Sequence, residues 1–117
     1  NFNFFYKGEE MKPLLMSTPV LVADGTYRLS SISIAEAKEI LKGGFVSAVG
    51  HQSSAEMLSD LLGLDVPMSR ITLGEEHFQR GQKAVVLKLL RRPLEGAILD
   101  IAQVKECGFA FKLLEVL

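Results

Sequence analysis

A histidine, two arginines and a glutamate hold most of the chemistry this chain can offer: His51, Arg70, Arg92 and Glu95. His51 follows Gly50 and precedes Gln52-Ser53-Ser54-Ala55-Glu56. Ser53 with Glu56 three residues on reads as a capping box, serine at the N-cap. His51 is then expected just before a helix N-terminus, where free backbone N–H groups and the positive end of the helix dipole favour an anion. A histidine beside an anion at neutral pH can serve as a phosphate-directed acid or base. Taken alone, a Gly-His pair before a capped helix is more often just a strand-to-helix turn. Arg70 follows a turn and precedes an apolar stretch, and Arg92 and Glu95 share the tight segment Arg91-Arg92-Pro93-Leu94-Glu95-Gly96. Arginine forks match phosphate oxygens at two points. The plainer role for Arg91 and Arg92 is a solvated pair closing a strand, and for Glu95 an ion pair with one of them.

The sequence lacks CxxC, HxH and any closely spaced Asp/Glu set of the two-metal kind, and it lacks a Walker loop or GxGxxG. The chemistry that suits the remaining residues is metal-free cleavage of an RNA phosphodiester. There the adjacent 2′-OH attacks phosphorus and leaves a 2′,3′-cyclic phosphate. Such a reaction needs in-line positioning, charge stabilisation on the equatorial oxygens and an acid for the departing 5′ oxygen. Arginines and helix N–H groups meet the second need, and His51 meets the third.

The elements that must position these groups can be read in order. Pro13–Met16 is a short apolar strand, broken by Ser17-Thr18-Pro19. Asp24-Gly25 is a turn and Thr26–Ile32 a strand. Ser33 and Glu36 form another capping box, followed by Ile34, Ala37, Ile40 and Leu41 at helical spacing up to Gly43-Gly44. Phe45–Val49 is the central strand. The helix after His51 turns Met57, Leu58, Leu61 and Leu62 to the core and ends at Gly63. Ile71–Leu73 reads as a brief strand, and Gly74–Gly81 as a solvated hairpin tip in which His77 has no assigned role. The run KAVVLKLL from Lys83 suits a strand buried on both faces. Asp100 opens a short helix through Val104 that stops before Gly108, and Phe109–Val116 is the last strand. The expectation is a single α+β domain, a mixed sheet with flanking helices in the order β-β-α-β-α-β-β-α-β.

With 117 residues, 48% apolar and 23% charged, the chain can bury one core. A net charge of −1 argues against a non-specific grip on long nucleic acid and leaves room for a small anion in a local pocket. The lone Cys107 fits a reducing, cytoplasmic setting. No apolar run is long enough to span a membrane, and the start lacks a signal-peptide pattern. Residues 1–11 read as an N-terminal tail: foreign or upstream to a start at Met11, or the end of a linker. Residues 12–117 are the domain.

Three stretches carry a family resemblance. Asp24-Gly25-Thr26-Tyr27-Arg28, Ser47-Ala48-Val49-Gly50-His51-Gln52-Ser53-Ser54-Ala55 and Arg92-Pro93-Leu94-Glu95-Gly96-Ala97-Ile98-Leu99 stand in the order and spacing of the viral ring nucleases that act as type III anti-CRISPR proteins. The chain resembles them from Leu14 to its C-terminus. The resemblance implies a homodimer that binds cyclic tetra-adenylate across its two-fold interface. It further implies cleavage of the ring, without metal or cofactor, to linear di-adenylates with 2′,3′-cyclic phosphate ends. It places the catalytic residues at His51, Arg92 and Glu95 and ligand contacts at Gly50, Gln52, Ser53, Ser54 and Arg70. The first loop departs from the family: Met16-Ser17-Thr18-Pro19 stands where the viral enzymes have ligand-contacting polar residues, and Ser17 is the residue that can substitute for one of them. A protein that sequesters the ring without cutting it is the alternative. A DNA-binding or host-factor module fits least, since the charge is near neutral and no recognition-helix pattern appears.

Overall fold

The computed structural model describes residues 11–18, 21, 23–92 and 100–117. Glu95 and the rest of 93–99 lie outside the described residues, as does the tail up to residue 10. The strands are β1 (Leu14–Met16), β2 (Tyr27–Ile32), β3 (Val46–Ser47), β4 (Lys83–Leu89) and β5 (Phe109–Val116). The helices are α1 (Ile34–Leu41), α2 (Gln52–Leu62) and α3 (Ile101–Cys107), with a 3₁₀ turn at Glu75–His77. The strands form one mixed sheet in the order β2-β5-β4-β1-β3. β1 runs parallel to both β3 and β4, while β5 is antiparallel to β4 and β2.

The apolar run expected to be a doubly buried strand is the middle of this sheet. Val85 and Leu87 of β4 face the helices, and Ala84 and Val86 face away, all of them buried. On the helical side Leu15, Val85, Leu87 and Phe111 pack with Ala37 and Leu41 of α1, Met57, Leu58 and Leu62 of α2, and Val104 of α3. Burial of a Leu or Met side chain of this kind stabilises the fold by about 1.5–3 kcal/mol. On the other face Leu14, Met16, Ala84, Val86, Leu114 and Val116 form a smaller cluster beneath Phe78.

Three expectations need correction. Among the described residues the strand count is five, because Ile71–Leu73 does not pair: Leu73 packs instead against the second face of the sheet. The following polar loop is not a solvated hairpin tip. It closes a 3₁₀ turn, in which the Gly74 N–H donates to His77 Nδ1 at 2.9 Å, and it buries Phe78 edge-on to Tyr27. The central strand shrinks from Phe45–Val49 to Val46–Ser47. Its continuation bonds sideways, Ala48 N–H to the Leu15 carbonyl and Ser69 N–H to the Val49 carbonyl. Two local expectations hold: Ser33 and Glu36 form a reciprocal capping box, and Gly63 ends α2 at φ +66°, a left-handed value suited to glycine.

Candidate functional site

β1, β3 and β4 are parallel, so their C-terminal ends share one edge of the sheet, the edge where α/β sheets commonly hold ligands. Ser17 follows β1, Gly50 and His51 follow β3, and Arg91 and Arg92 follow β4. The register pairs Leu15 with Ser47, so Ser17 stands level with Val49, one strand from the His51 turn. β4 pairs with β1 only as far as Val86 and then continues with β5 to Leu89. β4 itself ends at Leu89, two strand spacings or roughly 10 Å across the sheet from β3, and the chain bends at Leu90 and Arg91 before it reaches Arg92.

α2 begins earlier than the capping pattern suggests. Its N-cap is His51, in the extended conformation at φ −125°, ψ 137°, and the His51 side chain makes no cap bond. Ser53 and Ser54 lie within the first turn. Glu56 does not fold back to a cap: it accepts a 3.0 Å bond from Gln52 Nε2 one turn away. The first helical backbone bond runs from Ala55 N–H to the His51 carbonyl at 3.0 Å. The N–H groups of Gln52, Ser53 and Ser54 are left without intrahelical partners, as at any helix start. α1 and α3 differ, since Ser33 and Asp100 cap them with side-chain oxygens.

Arg70 is held at this helix start. Its Nε donates to the Gly50 carbonyl at 3.2 Å, and the residue remains exposed, as does His51. The segment before it lies along β3: Ser47 Oγ donates to the Pro67 carbonyl at 2.6 Å, and Ser69 N–H to the Val49 carbonyl at 2.8 Å. A guanidinium, an imidazole and uncapped N–H groups thus share one turn, an arrangement suited to a phosphate.

The other expected residues are placed as follows. Gly50 has no left-handed φ, and a side chain there would meet nothing within 4 Å among the described residues. Gln52 is exposed, while Ser54 is buried at 5% exposure, which leaves its backbone N–H as the group it offers at the helix start. Ser53 lines an open cleft of about 210 Å³ between α2 and α3 with Glu56, Asp60 and Asp100, so an anion meets carboxylates on that side. Arg91 caps α3, donating to the carbonyls of Cys107 and Glu106, where a cation complements the negative end of the helix. Arg92 is exposed in a shallow cleft of about 200 Å³ with Gln103, Glu106 and Cys107 and pairs with no carboxylate among the described residues. Glu95, outside the described residues, has no position to set against its expected partners. No group of three or more His, Cys, Asp or Glu residues among the described ones could hold a metal ion, and no helix there is long and apolar enough to cross a membrane.

The sequence assigns no role to Ser47 or to the segment Val66–Ser69. The available signal was slight: one hydroxyl in the apolar run Phe45-Val46-Ser47-Ala48-Val49.

The comparisons with known proteins agree with this architecture. B116 of Sulfolobus turreted icosahedral virus has the same fold, with a TM-score of 0.65 at 15% identity over 88% of this chain and 98% of that one. ORF117 of Acidianus two-tailed virus is 39% identical over 87 residues, 71% of this chain and 72% of its own length. Protein 26 of Sulfolobus islandicus filamentous virus is 33% identical over 87 residues, 73% and 71% of the two chains. YddF of Bacillus subtilis is 29% identical over 107 residues, 89% and 96% of the two. The family model described as STIV B116-like matches residues 13–111, and the chain belongs to that family.

Proposed function

We propose that this protein is a ring nuclease that cleaves cyclic tetra-adenylate and so switches off type III CRISPR signalling. The observation that carries the reading is the shared turn at the start of α2. There Arg70 is bonded to the Gly50 carbonyl beside the exposed His51 and the uncapped N–H groups. A phosphate seated there would have two of its oxygens matched by the guanidinium and the helix end. The ribose 2′-oxygen attacks phosphorus, forming a 2′,3′-cyclic phosphate as the bond to the 5′ oxygen breaks. The 2′-OH proton leaves to solvent, and His51 supplies a proton to the departing 5′ oxygen. Arg92, carried on the same sheet edge, neutralises charge on the ring, and Glu95 belongs to the same machinery through its resemblance to the family's glutamate.

A cyclic tetranucleotide has four phosphates and can adopt two-fold symmetry. A two-fold dimer presents one patch twice, so each chain would act on one of two opposite phosphates. The test is incubation of the purified protein with cyclic oligoadenylates of several sizes in EDTA, with product analysis and calorimetry. The expected result is di-adenylates with cyclic phosphate ends, the singly cut tetramer as a transient intermediate, and about 0.5 ring bound per chain. Tight binding without cleavage would make the protein a sequestering module. No binding of any ring would end the reading.

A further inference from the structure

We infer that Ser47 is a positioning residue for the anion site, acting through Arg70. This rests on the reading of the α2 start as that site. Ser47 is 6% exposed, and it points inward from β3 at a position where the neighbouring strand has Leu15. A hydroxyl buried there must be satisfied, and it is satisfied by the segment that leads to Arg70. Its Oγ donates to the Pro67 carbonyl at 2.6 Å and lies 3.3 Å from the Val49 N–H, which it accepts.

The segment from Val66 to Arg70 has no regular secondary structure of its own. Its course is fixed by discrete bonds. Val66 N–H donates to Ser59 Oγ at 3.0 Å, the Pro67 carbonyl accepts from Ser47, and Ser69 N–H donates to the Val49 carbonyl. Only after these anchors does Arg70 reach the Gly50 carbonyl. Arg70 itself is exposed, so its side chain has little packing to hold it. Pro67 has no N–H with which to pair to β3, which leaves its carbonyl as its only backbone anchor. Removing the Ser47 hydroxyl releases that carbonyl and the Val49 N–H together, the latter one residue before the Gly50-His51 turn.

The experiment follows hydrogen exchange at the Arg70 Nε–H by nuclear magnetic resonance, with the signal assigned by its loss in Arg70→Lys. Wild type is compared with Ser47→Ala, with Ser47→Thr, which keeps the hydroxyl, and with Ser47→Cys, which keeps the volume. The expected result is exchange faster by roughly tenfold in Ser47→Ala, the loss of about one hydrogen bond, with recovery in Ser47→Thr. The backbone amides of β4 should stay protected in both. If Ser47→Ala fails to fold, Ser47→Cys against Ser47→Thr decides the same question. An Arg70 Nε–H indifferent to Ser47 in folded variants overturns the inference.

The companion assay measures KM and kcat on cyclic tetra-adenylate. Ser47→Ala should weaken binding of the ring by roughly tenfold and add no further loss in an Arg70→Ala background. Losses that add fully would mean that Ser47 acts elsewhere, which also overturns the inference. If wild type neither binds nor cuts any ring, the nuclease reading fails, while the exchange measurement still decides whether Ser47 positions Arg70.

Discussion

Replacing His51 with aspartate should make the protein more stable and worse at holding an anion. His51 already has the extended backbone of an N-cap residue, yet its side chain makes no cap bond to α2. An aspartate there needs no change of backbone to accept from the N–H groups of Ser53 or Ser54. A cap bond of this kind contributes about 1 kcal/mol, and a negative charge on the helix end adds roughly 0.5 kcal/mol. Unfolding entropy is about 2.1 cal/mol/K per residue, or about 0.25 kcal/mol/K over the 117 residues of this chain. A gain of about 1.5 kcal/mol then raises Tm by roughly 6 °C. His51→Ser, which caps without charge, should gain roughly 4 °C. The extra gain in the aspartate variant should shrink at high salt, because the dipole contribution is screened.

Binding should move the opposite way. The new carboxylate occupies the N–H groups and repels a phosphate. Affinity for cyclic tetra-adenylate should therefore fall at least roughly tenfold below that of His51→Ala, which only removes the imidazole. Thermal unfolding at two salt concentrations and calorimetry with the ring measure both sides. If neither His51→Asp nor His51→Ser unfolds above wild type, the N–H groups at the α2 start are already partnered. If the aspartate variant binds the ring as well as the alanine variant, the anion does not sit on that helix end.

Four further variants separate the roles within the site. His51→Ala should slow single-turnover cleavage by about 10²–10⁴ while ring binding stays within roughly tenfold, since a general acid contributes to the transition state and little to the ground state. Unchanged cleavage would remove His51 from the chemistry. Arg92→Ala should lower both affinity and rate, whereas Glu95→Gln should mainly lower the rate; normal turnover in the latter assigns Glu95 to the scaffold. Gly50→Ala should unfold at the wild-type temperature, because a side chain there meets nothing within 4 Å among the described residues and the backbone is not left-handed. A drop in ring affinity in that folded variant would report close approach of the ligand to the Gly50 backbone.

What the sequence makes legible follows the range of the interactions involved. Ser33-x-x-Glu36, Gly63 and the start of α3 at Asp100 are local signals, and each holds in the structure. The apolar run from Lys83 identifies the middle strand, because only a strand covered on both faces tolerates it. Ser53-x-x-Glu56 misleads because the same spacing also fits the inside of a first turn. Gln52 offers Glu56 a partner four residues away, and the helix starts earlier. Ile71–Leu73 misleads because Leu73, which covers a sheet face, looks locally like a residue that joins the sheet. The hold of Ser47 on Pro67 spans twenty residues and leaves no local pattern. The bond from Arg70 to the Gly50 carbonyl, beside His51, likewise spans twenty residues.

The unequal treatment of the three described helices bears on why this edge is built as it is. α1 and α3 both have side-chain caps, from Ser33 and Asp100. α2 is the longest described helix and packs Met57, Leu58 and Leu62 into the core, yet its cap position holds a histidine that makes no cap bond. Leaving it uncapped forgoes about 1 kcal/mol that a serine would contribute. The neighbouring carboxylates, Glu56, Asp60 and Asp100, lie to the side, in the cleft between α2 and α3. Arg70 is tied to the turn itself. In a chain of net charge −1, one arginine and the helix N–H groups thus meet at this turn. Such a distribution favours a compact anion that fits the turn over an extended polyanion that needs a basic face. A local loss of stability at a site that holds charge and a titratable side chain is the pattern expected where function, not folding, selects the residue.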